Sequence, residues 1–314
     1  MVNQNKSSVD SVVDVRNLIV QFGDFLAVND ISFSVKRGEI FGFLGANGAG
    51  KTTTIRVLCG LLNPTAGMVS VAGYSSGVDE LSIKSIVGYM SQKFTLYNDL
   101  TVEENLNFIA SLRKIDSNTY LKRRAELLEF ISFDRSMRTT VQDLPGGTKQ
   151  QVSLVGALLH DPEIIFLDEP TAGVSPTARA NFWSLIRALS EKGKTVFVTT
   201  HYMDEAEQCE RIALMRDGRI VALDTIEGLK KNTFPMPMFE FYPKNKLTFE
   251  EILVLEKEPL FSFFEAYGLR FHASIKTLEG WEKDRHKFDD LFEIRSINPS
   301  LEDVFIKTVE EKRT

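Results

Sequence analysis

The run Gly45-Ala46-Asn47-Gly48-Ala49-Gly50-Lys51-Thr52-Thr53 has the residue types and the spacing to grip a triphosphate. It fits G-x-x-x-x-G-K-[ST], a turn whose successive backbone N–H groups point inward at phosphate oxygens. Gly45, Gly48 and Gly50 permit backbone angles that a β-carbon would forbid. Lys51 supplies a point charge for the outer phosphates, and the Thr52 hydroxyl is placed to ligate Mg²⁺. Asn47 and Thr53 complete the loop residues expected at the nucleotide. Farther along, Ile164-Ile165-Phe166-Leu167-Asp168-Glu169 is an apolar run ending in two carboxylates. Asp168 at the strand mouth suits the water shell of a metal, and Glu169 can polarise an attacking water. Acidic pairs after strands are common; it is the phosphate loop upstream that makes this pair read as chemical. His201 ends Thr199-Thr200-His201, where a lone histidine is usually a surface or capping residue. Beside the Asp168 strand, an imidazole can instead sense a γ-phosphate. Gln92, after Val87-Gly88-Tyr89-Met90-Ser91, means little alone.

Elements must hold these groups. Residues 40–44 read as a buried strand entering the loop, and residues 53–58 as a helix leaving it. The positive end of that helix faces the phosphates. Further strands are expected at 12–20, 27–35, 69–72, 86–90, 164–167, 195–199 and 212–215, with a helix at 177–191. Between them Thr101-Val102-Glu103-Glu104 forms a capping-box pattern, followed by apolar residues at helical spacing and a second amphipathic helix at 121–131. The economical architecture is an α/β core with a helical insertion at about 95–160. Near Asn232 the pattern changes, with Pro235 and Pro237 in a linker-like stretch. Strands at 238–242 and 269–275, a helix at 248–256 and a capped helix after Ser300 make residues 232–314 a separate α+β domain beside the phosphate-loop domain at 1–231. The phenylalanines of this tail, among them Phe261, Phe264, Phe271 and Phe292, read as core, with a partner surface as the alternative.

The composition, 43% hydrophobic and 25% charged over 314 residues, is that of a globular protein. No apolar run approaches the ~18 residues of a membrane span, and Met1–Lys6 lacks a signal-peptide core. Two distant cysteines imply neither a disulfide framework nor a metal cluster, which favours a reducing compartment. A net charge of −6 gives no global pull towards nucleic acid, and none is expected as a partner.

Leu144-Pro145-Gly146-Gly147-Thr148-Lys149-Gln150-Gln151 completes a set of landmarks. With it, residues 10–230 resemble the nucleotide-binding subunits of ATP-binding-cassette (ABC) transporters. The family's order is present: Walker A at 45–53, the Q-loop Gln92, a signature at 144–148, Walker B at 164–168 with Glu169, a D-loop at 172–175 and the switch His201. The resemblance implies a P-loop ATPase of the ABC type that binds ATP and Mg²⁺, with Thr52, Gln92 and Asp168 at the metal. It implies Glu169, His201, Lys51 and Gln92 as the catalytic set. Phe22 matches the aromatic that stacks on adenine, core packing being the alternative. Each ATP would lie between the Walker loop of one chain and Gly146 and Gly147 of a second ATP-binding subunit, the same chain or a related one. Permease subunits in a membrane, expected to be the bacterial inner membrane, would dock at its cytoplasmic face near Lys93–Tyr97. Phe94 and Tyr97 can equally be packing residues of the insertion. The ending Asn298-Pro299-Ser300-Leu301-Glu302-Asp303-Val304-Phe305 resembles the branch that exports drugs, polysaccharides or lipids.

Two positions depart from the family. The signature normally reads Leu-Ser-Gly-Gly-Gln, and here Pro145 removes the hydroxyl that bonds the γ-phosphate across the dimer. Ser175 stands where the D-loop has Asp. One such bond is worth about 1.5–3 kcal/mol, or about ten- to a hundredfold in closure or turnover. Both lie on the half-site offered to a partner. The expectation is an ATP-hydrolysing export subunit; the competing reading is an ATP-controlled regulatory module with little turnover.

Overall fold

The computed structural model describes residues 11–92 and 96–310. Lys93, Phe94 and Thr95, expected at a docking groove, lie outside them. The chain forms two compact units that part between Leu223 and Asp224.

The first unit runs β1 (Ser11–Phe22), β2 (Phe25–Lys36), β3 (Ile40–Leu44), α1 (Lys51–Leu58), β4 (Ala66–Val71), β5 (Tyr74–Ser75), α2 (Glu80–Ile86) and β6 (Val87–Met90). Helices α3 (Val102–Leu112), α4 (Ser117–Phe130) and α5 (Gly146–Leu158) follow. Then come β7 (Ile164–Asp168), α6 (Pro176–Glu191), β8 (Thr195–Thr200), α7 (Met203–Ala206), β9 (Arg211–Arg216) and β10 (Arg219–Thr225). An antiparallel sheet has the order β2-β1-β4-β5, and a second has the order β10-β9-β3-β8-β7-β6. In the second, β6, β7, β8, β3 and β9 pair in parallel. Every residue of β3, β7 and β8 is buried, as their near-continuous apolar runs require for parallel strands covered on both faces. Phe33 of β2 packs edge-on to Phe43 of β3, centroids 5.0 Å apart, so the two sheets share one core. Those strands match expectation. The sequence reading did not assign β5, α2 or β10. β5 is only a residue pair, and β10 is half-buried along most of its length, so neither carries a clear apolar alternation.

The expected capping box closes on α3: Thr101 Oγ1 accepts from Glu104 N, and Glu104 reaches back to Thr101 N. An ion pair between Glu103 and Arg124, 3.1 Å, ties α3 to α4.

The second unit holds α8 (Ile226–Thr233), β11 (Met238–Pro243), α9 (Phe249–Glu256), β12 (Phe261–Tyr267), β13 (Arg270–Ile275), α10 (Leu278–Asp284), β14 (Phe292–Ile297) and α11 (Leu301–Glu310). Its sheet, β12-β13-β11-β14, is antiparallel throughout. Phe241, Phe261, Phe264, Phe271, Phe288, Phe292 and Trp281 are all buried in one cluster. The phenylalanine-rich tail is therefore core. The unit starts earlier than residue 232 because α8 belongs to it: α8 lies against α11, and Lys307 Nζ donates to Thr233 O at 3.0 Å.

Candidate nucleotide site

The turn from β3 into α1 lies at the end of the parallel sheet, and its glycines answer to different constraints. Gly48 and Gly50 have φ of 83° and 103°, the left-handed region where side chains are strained. Gly45 does not. A Cβ there would fall 2.2 Å from Met215 O of β9, so Gly45 is required by close approach rather than by its own angles. That corrects the common reason expected from the sequence.

Lys51, the first residue of α1, is buried. Its Nζ donates to Gly45 O at 2.6 Å and Ala46 O at 3.1 Å, and lies 3.4 Å from Glu169 Oε1. The lysine thus cinches the loop around its own charge. Burial pulls its pKa below the ordinary lysine range, opposed by Glu169 and Asp168.

Asp168 ends β7 with unequal oxygens. Oδ1 accepts from Thr199 Oγ1 at 2.6 Å and from Thr52 Oγ1 at 3.1 Å. Oδ2 is buried with no protein partner. Burial raises the carboxyl's pKa, while the bonds from Thr199 and Thr52 oppose the rise. A hydroxyl beside a carboxylate with an orphaned oxygen suits Mg²⁺, a hard cation that takes few protein ligands and completes its shell with water and phosphate. Among the described residues no group of three or more His, Cys, Asp or Glu side chains could hold a metal by itself.

Glu169 stands next, at φ 48°, the kind of local strain that clusters at working sites. Its N–H is held by Thr199 O at 3.1 Å and Thr199 Oγ1 at 3.0 Å. Oε2 accepts from Gln92 Nε2 at 2.9 Å and lies 3.3 Å from His201 Nδ1, the latter without hydrogen-bond geometry. Lys51, Thr52, Gln92, Asp168, Glu169 and His201, spread over more than 150 positions of sequence, therefore meet at the carboxyl ends of β3, β7 and β8. Asn47, Thr53, Gln92 and Glu169 line the cleft above them, a cavity of about 230 Å³.

The aromatic residue that lines the cleft is the hairpin partner of Phe22. Phe25 lines this cleft; Phe22 is half-exposed beside it and directly paired with Phe25 across the hairpin turn. Sequence reasoning missed Phe25, although its position across the turn from Phe22 carried the signal. Thr199, whose hydroxyl bonds the Asp168 carboxylate and the Glu169 backbone N–H, was missed because a threonine in a buried strand looks like β-propensity alone.

Gly146 and Gly147 are not brought to Lys51. They open α5 on another cleft, shared with Gly173, Ser175 and Asn181. Pro145 is the N-cap of α5 and gives it no side-chain cap. Ser175 caps α6 instead, accepting from Ala178 N at 3.3 Å, with Pro176 following. Tyr97 is about half-exposed and packs edge-on to Phe108, centroids 5.3 Å apart.

Known proteins resemble this chain over much of its length. The family profile described as ABC transporter matches residues 28–172. The probable multidrug ABC transporter ATP-binding protein YbhF of Escherichia coli is 43% identical over 221 residues, covering 70% of this chain. The chain spans only 38% of that relative's length. The Nod factor export ATP-binding protein I of Burkholderia orbicola is 38% identical over 231 residues, 73% of this chain and 76% of that protein. Among solved structures, a dimeric ATP-binding cassette in a post-hydrolysis state with ADP and Pi superposes with a TM-score of 0.61 at 27% identity, over 68% of this chain and 98% of that one.

Proposed function

Since the chain belongs to the ATP-binding proteins of ABC transporters, we propose that it binds MgATP in the Lys51 cleft and hydrolyses it to power export through transmembrane subunits on other chains. The observation that carries this reading is the convergence of Lys51, Gln92 and His201 on one carboxylate, Glu169, beside an Asp168 oxygen left without a partner. Lys51 and the loop N–H groups hold the outer phosphates, where negative charge concentrates. Thr52 Oγ1 and Asp168 Oδ2 would hold Mg²⁺, which would supply charge neutralisation for the phosphates. Glu169 orients the attacking water and takes its proton, and Gln92 fixes the carboxylate's direction. His201 meets the γ-phosphate from the strand beside it. Phe25, paired with Phe22, offers the base a face.

The site is half of a larger one. The N-terminus of α5 carries backbone N–H groups at Gly146 and Gly147 suited to an anion, and none of them faces the nucleotide of its own chain. A second ATP-binding subunit, a copy or a related chain, brings that helix over the γ-phosphate. The dimeric relative with ADP and Pi supports this. The two curated relatives are named for multidrug and Nod factor export, which supports an exporter working at the cytoplasmic face of a membrane. Among the described residues no helix is long and apolar enough to cross one.

Glu169→Gln tests the reading. Turnover should fall by about a hundredfold or more while ATP is still bound, because the base is lost and the phosphate contacts remain. If the parent's turnover is already negligible and the substitution changes nothing, the chain is an ATP-controlled regulatory module. Pro145 and Ser175 are the observations that favour that second reading, since neither offers the partner's nucleotide a hydroxyl or carboxylate free of other work.

A further inference from the structure

Glu205 is a carboxylate with no place in the chemistry above, yet it is only 1% exposed. It sits in α7, just past the switch histidine. Both of its oxygens are engaged. Thr171 Oγ1 donates to Oε1, Thr200 Oγ1 donates to Oε2 at 2.7 Å, and Arg179 Nε of α6 lies 3.1 Å from Oε1. Thr171 and Thr200 are each 1% exposed. Burying an ionised group costs several kcal/mol unless it is paired and fully bonded. A carboxylate kept at such a position holds its partners to one geometry.

Those partners frame the reacting groups. Thr171 stands two residues beyond Glu169 and immediately before the 172–175 segment; Thr200 stands immediately before His201. Thr200 Oγ1 also accepts from Tyr202 N at 3.0 Å, so the same hydroxyl spans the histidine from both sides. The Arg179 guanidinium lies 4.1 Å from the Tyr202 ring centre, and the Tyr202 ring lies 4.0 Å from that of His201. We infer that Glu205 is a positioning residue, a buried clamp that couples the strand end carrying Glu169 to the strand end carrying His201. It touches neither nucleotide nor metal. The clamp rests on the hydrolytic reading for its effect on rate, but its mechanical part does not.

Two readouts test it in the full chain. Glu205→Ala should lower kcat by about ten- to a hundredfold, since small misplacements of reacting groups are that costly, and leave KM and Kd for MgATP within about twofold. Glu205→Gln keeps shape and some of the bonds and should recover part of the loss. Thr171→Val and Thr200→Val should each lower kcat in the same way, and each should be non-additive with Glu205→Ala. Amide exchange supplies the second readout: residues 170–175 and 199–203 should exchange faster in Glu205→Gln, with β3 and α1 unchanged. Unchanged kcat in the threonine variants, or KM rising in step with kcat falling, overturns the inference; so does unchanged exchange in those segments. If Glu205→Ala fails to fold, the threonine and Gln variants decide. Parent turnover no higher than that of Glu169→Gln overturns the hydrolytic reading instead, and exchange then judges the clamp alone.

Discussion

Asp168 shows how one side chain divides its work. Oδ1 is committed to Thr199 and Thr52, and Oδ2 is held in reserve. Asp168→Asn replaces that reserve with an uncharged amide. The Mg²⁺ concentration giving half-maximal turnover should rise by about tenfold or more, which a Mg²⁺ titration of ATPase activity measures. Gly45 makes the opposite kind of prediction. Gly45→Ala drives a methyl into Met215 O, and thermal unfolding should show a loss of about 1–3 kcal/mol or a failure to fold. An unchanged midpoint would mean the loop moves freely away from β9. Lys51, Thr52 and Asp168 were legible because phosphate and metal chemistry demands fixed residue types at fixed spacing. Gly45 was legible as a glycine and not as to its reason, which is set by a strand 170 positions later. Glu205 and Thr199 were not legible, because a buried bond partner has no local pattern.

Helix ends decide more here than helix middles. Helices α3, α4, α6, α8, α9 and α10 begin at N-caps whose side chains accept from the first turn, and α5 does not. Pro145→Ser supplies a cap worth about 1 kcal/mol to α5 and a hydroxyl for the partner's γ-phosphate. ATPase activity of the assembled complex should rise by about tenfold; no rise, or a fall, would mark proline as a working variant of the signature. In the second unit, α11 is held to the sheet through His272. The ring's Nδ1 is 2.7 Å from Asp303 Oδ1, and its Nε2 is 3.2 Å from Glu240 Oε1. The Tyr267 ring lies stacked over it, centroids 4.2 Å apart. Burial alone would lower the His272 pKa, but the bonds and charges of Asp303 and Glu240 outweigh it and raise it. Against burial, bonds from His272 and Ser300 hold Asp303 below the usual carboxylate range, and Tyr242, His272 and Arg270 do the same for Glu240. A raised histidine stabilises fully below its unfolded value of ~6.5 and loses that contribution as pH climbs through the folded value. The lowered carboxylates contribute above ~4 and lose it as pH falls through their folded values. The thermal stability of the second unit should therefore fall as pH rises above ~6.5, and His272→Gln should remove most of that slope. The tail motif at Ser300–Asp303 thus has a mechanical use: Ser300 Oγ accepts from Asp303 N, Asp303 Oδ2 accepts from Ser300 N in return, and Asp303 Oδ1 reaches the sheet.

At the scale of the molecule, the half-site reading predicts ATP-dependent assembly. Glu169→Gln with MgATP should run as a dimer by light scattering and return to monomer when nucleotide is removed; monomer throughout would indicate that a different chain supplies the facing helix. Triphosphate binding, the α/β core and the phenylalanine-rich tail core were open to a reader of sequence alone. The reason is that each rests on local demands: a loop must be glycine-rich to reach phosphate, a strand buried on both faces must be apolar, and aromatic rings must leave water. The family resemblance grouped Gln92, His201 and Lys51 with Glu169, but the contacts each makes with that residue were another matter. Gln92, His201, Lys51 and Thr199 come from separate strands and loops, and only the order of the parallel sheet brings their ends together. The same holds for Phe25 at the cleft and for the unit boundary at Asp224. Long-range proximity is a property of packed elements, and no window of sequence contains it.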